Sequence, residues 1–194
     1  MKKIVFLDEY SIAGRSLQKI TSQGEYIAYD FTKKEEVVER LKGADIAITN
    51  KVLIDGDAMR QLPDLKLICV AATGMNNVDL ETAKELGADG LVFGCLLPDG
   101  TVDMANMKRL MDAAGDTPVT FHRAFDHSAD PLKALEDIIE LGCARILTSG
   151  CRPTALEGAG LLAQLVEKAG DRIIIMPGCG VKESNIAEIA RLSG

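Results

Sequence analysis

VTFHRAFDHSADPLKALEDIIELG, residues 119–142, contains one complete structural unit. Val119 to His122 is a short apolar run of the kind that fills a buried strand. Asp130-Pro131 then places a capping side chain directly before a proline at the first helical position. Leu132, Leu135, Ile138 and Ile139 follow at helical spacing, and Gly142 stops the helix. Strand, loop, helix and stop within about 25 residues make a βα unit.

The same grammar extends in both directions. Further apolar runs lie at Ile4–Leu7, Tyr26–Tyr29, Ile46–Thr49, Leu65–Ala72, Leu91–Leu96, Ile146–Thr148 and Ile173–Met176, which brings the strands to eight. Continuous apolar runs, not alternating ones, suit strands buried on both faces under helices. Helix signals fill the gaps. Thr32-Lys33-Lys34-Glu35 reads as a capping box before Val37, Val38 and Leu41, with Gly43 as the stop. Asp103 is placed to cap a helix ending at Gly115, and Thr154-Ala155-Leu156-Glu157 reads as a second capping box. Asp55–Leu62 has the weakest helical signal, and a last helix starts near Ser184. The pattern predicts an α/β protein of eight βα units with parallel strands.

Bulk properties narrow the function. With 47% apolar residues the chain builds a real core, and with 4% aromatic residues and no Trp that core is aliphatic. The net charge of −7 argues against nucleic acid or an anionic membrane surface as partner. No apolar run reaches the roughly 18 residues of a membrane span. The opening Met1-Lys2-Lys3-Ile4-Val5-Phe6-Leu7-Asp8 reads as a first strand, not a signal peptide. Five widely spaced cysteines without a C-x-x-C pair suit a reducing cytoplasm.

Two resemblances divide the chain near Ala83-Lys84-Glu85-Leu86-Gly87. KIVFLDEYSI, YIAYDFT, ADIAITNKV and LPDLKLICVAATGMNNVDL, within residues 1–87, resemble the N-terminal, flavodoxin-like part of a D-2-hydroxyacid dehydrogenase of the glycerate/hydroxypyruvate type. That resemblance implies that Ala72, Thr73 and Gly74 form a loop whose N–H groups meet a substrate carboxylate, before a helix capped near Asn77 or Asp79. GADGLVFGCLLPDGTVD, the stretch quoted first, RILTSG, TALEG and DRIIIMPGCGV, within 88–194, resemble the later half of a CutC copper-homeostasis (βα)₈ barrel. Here the resemblance implies a ligand- or anion-binding rim of His122, Arg123, Asp126, Thr148, Ser149, Glu157 and Gly178 at the strand ends, where such barrels keep their chemistry. Cys151 and Cys179 depart from the CutC pattern: glutamine or glycine is commoner at the first, and the second interrupts a glycine run.

Cys95, His122, Cys151 and Cys179 fall at successive strand ends of that half. Thiol and imidazole together suit Cu(I) or Zn(II); no cofactor is expected, with copper the metal considered for this set. Cys69 and Cys143 read as buried apolar residues. No G-x-G-x-x-G precedes a helix anywhere, so no dinucleotide fingerprint is present. Dehydrogenase activity is therefore not expected, and no catalytic residue is assigned.

Taken together, the two resemblances predict a single α/β domain over 1–194, built as a chimera, engineered or recombined, without a complete native active site. A CutC-like copper or small-anion binding protein is the alternative. Two architectures fit. The flavodoxin-like half and the half barrel close together, TIM-barrel-like, or the sheet stays open in the order 2-1-3-4, extended, with its bare face buried in a homodimer.

Overall fold

A computed structural model of the chain describes residues 1–12, 17–71 and 77–194. It contains all eight expected strands, every pairing between them parallel, in two compact units, Met1–Gly87 and Ala88–Gly194. The Ala72-Thr73-Gly74 loop lies outside the described residues.

The first unit has strands β1 (Lys3–Phe6), β2 (Glu25–Ala28), β3 (Ile46–Thr49) and β4 (Leu67–Val70), in the order β2-β1-β3-β4. That is the 2-1-3-4 order expected of a flavodoxin-like half. β1 is paired on both sides, to β2 and to β3, which leaves β2 and β4 as the end strands. Helices α1 (Gln18–Thr21), α2 (Val37–Leu41), α3 (Gly56–Arg60) and α4 (Leu80–Glu85) belong to this unit. Strand alternation sends Val5, Leu7 and Ala47 to one face, where they pack with Val37, Leu41, Ala58 and Met59. Ile4, Phe6 and Ile48 go to the other, against Leu17 and Ile20. Apolar residues on both faces explain the unbroken apolar runs.

The second unit has strands β5 (Leu91–Phe93), β6 (Val119–Phe121), β7 (Arg145–Thr148) and β8 (Ile174–Pro177), in sequential order, with helices α5 (Met104–Ala114), α6 (Pro131–Glu140), α7 (Ala159–Ala169) and α8 (Ile186–Ser193). Register puts Phe93, Phe121 and Ile146 side by side on one face. They are fully buried, as are Met107, Leu135, Ile138, Leu162 and Leu165 from the helices. Each such side chain contributes about 1.5–3 kcal/mol of burial. The opposite face carries Val92, Leu147, Ile174 and Met176, of which Val92, Ile174 and Met176 are exposed. At the end strand β8, Ile174 and Gly178 donate their N–H groups to the carbonyls of Ala144, just before β7, and Thr148, at its end. Alternation then puts Pro177, which has no N–H, on the side away from β7, where a donor would otherwise invite another strand.

Most caps form as the sequence suggests. Asp55, Asp79 and Asp103 each accept from the backbone N–H three residues on, at 3.0 Å. Asp130 accepts from Leu132 and Lys133, both at 3.0 Å. Two assignments are corrected. Thr32 is not the cap of its helix. Its hydroxyl is buried and donates to the Leu7 carbonyl, and Lys33 closes the box by donating its N–H to Glu36 at 2.8 Å. Thr154 and Glu157 do pair at 2.7 Å, but they close a turn, and α7 begins only after Gly158.

Candidate functional site

The loops after β6 and β7 meet on one carboxylate. A 3₁₀ turn, Arg123–His127, follows β6 and delivers Asp126 beneath the end of β7. Its side chain is only 5% exposed. Five donor groups converge on it. Oδ1 accepts from the Thr148 hydroxyl at 2.5 Å, the Ser149 N–H at 3.0 Å and the Cys151 N–H at 3.2 Å. Oδ2 accepts from Arg123 Nε at 2.7 Å and the Ser149 hydroxyl at 2.9 Å. Burial pushes the Asp126 carboxyl upward, but the hydrogen bonds from Thr148, Arg123 and Ser149 outweigh it and hold it below the usual carboxylate range.

Thr148 and Ser149 are themselves fully buried and fully used. Thr148 Oγ1 also accepts from the Gly150 N–H at 2.9 Å. The one Ser149 hydroxyl proton is divided between Asp126 and the Arg152 carbonyl, 2.5 Å away. Arg123 Nη2 donates to the Ser149 hydroxyl at 3.0 Å, so its guanidinium is held on two sides. It remains 42% exposed and is the charged group this network presents to solvent. Asp126 chiefly, and Cys179 to a smaller degree, keep Arg123 firmly protonated.

Two pairs of consecutive left-handed residues shape the rim, Gly150-Cys151 (φ 67° and 55°) and Cys179-Gly180 (φ 69° and 74°). Glycine adopts this conformation freely, whereas a side chain there costs about 1–2 kcal/mol. The departures at Cys151 and Cys179 thus sit where the backbone favours glycine. Cys179→Gly is expected to stabilise the chain by about 0.5–1 kcal/mol, a rise of roughly 1–4 °C in Tm by calorimetry.

Of the residues proposed from sequence, Arg123, Asp126, Thr148, Ser149 and the backbone of Cys151 come together, with Cys179 beside Arg123. Gly178 contributes only its N–H to the Thr148 carbonyl, at 2.8 Å. Glu157 is exposed and pairs with Thr154. The proposed metal set does not assemble: among the described residues no three His, Cys, Asp or Glu side chains group as metal ligands. Burial raises the Cys95 and Cys151 thiols above their usual pKa, so each holds its proton at neutral pH. Cys179 is exposed, with its Sγ 3.1 Å from the Pro153 carbonyl. His122 caps the 3₁₀ turn: its Nδ1 accepts from the Ala124 N–H at 3.2 Å. Cys69 is half-buried in β4, and Cys143 is buried, its thiol pushed up to about 11.

The sequence reading missed the glycines that let these loops approach. A Cβ on Gly158 would lie 1.9 Å from the Ser149 carbonyl oxygen, and one on Gly150 would lie 2.3 Å from the Gly158 carbonyl oxygen. It also missed Asp8, at the end of β1. That buried carboxylate accepts the N–H groups of Asn50 and Lys51, at 2.9 and 2.6 Å. Both units therefore use an acid after a strand to hold the loop that follows a strand paired beside it, β3 beside β1 and β7 beside β6. An aspartate a few residues past an apolar run was the available signal.

Comparison with known proteins places this architecture. The CutC family model matches residues 68–194, from within β4 to the last residue. The chain belongs to the CutC family. The CutC family protein of Parabacteroides distasonis is 55% identical over 117 residues, covering 60% of this chain and 48% of that protein. That of Bacteroides thetaiotaomicron is 57% identical over 116 residues, covering 60% and 47%. The chain thus spans about half the length of the curated relatives it matches. A crystal structure described as the putative copper homeostasis protein CutC from Streptococcus agalactiae aligns over 100% of this chain and 95% of that one, with a TM-score of 0.58 and 22% identity.

These matches overturn the reading of the chain as a chimeric or de novo scaffold. The family model starts at Ile68 and runs unbroken through residues 83–87, where the join was placed. The dehydrogenase resemblance gains nothing: the D-lactate dehydrogenase of Escherichia coli aligns with a TM-score of 0.36, too low to bear on the fold. Among the described residues no helix is long and apolar enough to cross a membrane.

Proposed function

We propose that this CutC family chain binds a small oxyanion at the ends of β6 to β8, with Arg123 as the anion-holding residue. One observation carries the reading. The Arg123 guanidinium is fixed by Asp126 and Ser149 yet 42% exposed, so a planar donor fork faces outward from a rigid base. Such a fork matches a carboxylate or phosphate and loses little freedom on binding. Inorganic phosphate is the simplest probe. Arg123→Gln is expected to weaken phosphate binding about tenfold, the loss of one charge-assisted hydrogen bond. Isothermal titration at low and moderate salt measures it, with circular dichroism to check the fold. Equal affinity in wild type and variant removes Arg123 from the site.

A second reading keeps copper as cargo. It is supported by the exposed Cys179 thiol beside Arg123 and by the copper homeostasis description of the Streptococcus agalactiae protein. Soft thiolates favour Cu(I), and binding would release protons as the thiols ionise. Titration against a competing Cu(I) chelator separates the readings: the copper reading expects Cys151→Ser with Cys179→Ser to weaken binding and Cys143→Ser to leave it unchanged. The same proposal includes TIM-barrel-like closure of the eight units, with residues 1–194 as one domain. The whole-chain alignment with the Streptococcus agalactiae structure supports it.

A further inference from the structure

His122 is the titratable group of this rim that the Asp126 network does not use. Its ring is fixed on three sides. A Cβ on Gly94 would lie 2.9 Å from Nδ1 and 2.8 Å from the Phe121 ring, so the imidazole lies against bare glycine backbone. Phe121 meets it edge-on, with centroids 6.2 Å apart. On the third side the Ala124 N–H points at Nδ1 from 3.2 Å.

That last contact decides the chemistry. A backbone N–H can only donate, so Nδ1 must be the acceptor, and the proton of the neutral ring sits on Nε2. Burial lowers the His122 pKa against a smaller upward pull from the residue's own backbone, so the neutral form is favoured at pH 7. Among the described residues Nε2 has no recorded acceptor, and no buried side-chain nitrogen or oxygen lacks a partner. Among the described residues Nε2–H is therefore a donor without a partner on a half-buried side chain. Metal coordination through Nε2 would move the proton to Nδ1, where it would face the Ala124 N–H head-on. Metal-bound histidines instead donate from their second nitrogen to an acceptor.

We propose that His122 is locked with its proton on Nε2 and donates it to an oxygen of the ligand at the Arg123 rim, and that it is not a metal ligand. The inference rests on the small-oxyanion reading and deepens it, for it requires a hydrogen-bond acceptor beside the group that Arg123 holds. It makes His122 a ligand-selecting residue.

Long-range ¹H–¹⁵N spectra of histidine-labelled protein at pH 7 test it, with His127→Gln to assign the two histidines. The expected pattern is protonated Nε2 and bare Nδ1 for His122, unchanged by Cu(I) or Zn(II) and shifted at Nε2 by inorganic phosphate. A proton on Nδ1, or metal-induced loss of the Nε2 proton, overturns it. Phosphate binding that depends on Arg123 but leaves His122 Nε2 unmoved overturns this inference while the oxyanion reading stands. Absence of phosphate binding removes both. His122→Asn separates cap from donor, since asparagine can still accept from Ala124. It is expected to keep the wild-type Tm and lose about tenfold in phosphate affinity. Unchanged affinity also overturns the proposal.

Discussion

Asp126→Ala is expected to cost about 3–5 kcal/mol of stability, the usual penalty for removing one partner of a buried, charged network. Five donor groups lose their acceptor at once, in two loops, around Thr148 and Ser149 that water does not reach. Removing surface pairs such as Arg60 with Glu85 costs well under 1 kcal/mol by comparison. Urea unfolding at neutral pH measures the difference, and a loss below 1 kcal/mol would mean that the network only decorates the rim. The same carboxylate links stability to pH. Its folded pKa is depressed, so its contribution is present in full above the unfolded value of about 3.9 and fades as pH falls through the lower folded value. Wild type should therefore lose stability below about pH 4 more steeply than Asp126→Asn.

Gly158→Ala is expected to be damaging as well, through space and not through charge. Gly158 has an ordinary φ of −90°, so alanine suits its backbone. The obstacle is the new methyl group, which would lie 1.9 Å from the Ser149 carbonyl oxygen and 2.9 Å from the Gly150 Cα. Both are backbone atoms, and Ser149 is tied to Asp126 through its N–H and its hydroxyl, so neither side can yield cheaply. Overpacking of this kind costs about 1–3 kcal/mol, or more where the neighbours are fixed. Gly160→Ala, in α7, is the control: no atom lies within 4 Å of its Cβ, and a helical glycine gains about 0.5–1 kcal/mol on becoming alanine. Denaturant midpoints for the two variants should move in opposite directions. If both rise, the approach of the 149–150 loop to Gly158 is looser than described.

Sequence alone determined the eight βα units and most of their punctuation. A buried parallel strand needs an apolar run, and a helix end needs an acceptor, both short-range demands written into neighbouring residues such as Asp130-Pro131. It also singled out the strand-end residues Arg123, Asp126, Thr148 and Ser149. What it could not determine was pairing. The local pattern of a βα unit is the same whichever strand lies beside it, so periodicity left the order open; the order 2-1-3-4 came only from the flavodoxin-like resemblance, and the tertiary structure decided that β1 is flanked by β2 and β3. The same limit governed the site. Cys95, His122, Cys151 and Cys179 share a place in the βα repeat, but soft ligands need converging side chains, and His122 Nδ1 instead faces a backbone N–H two residues away. The contacts that shape the rim, Asp126 with the 148–151 loop and Gly150 against Gly158, join residues 8 to 25 positions apart. No short-range demand records them, because they depend on how closely two loops approach once the sheet beneath them has formed.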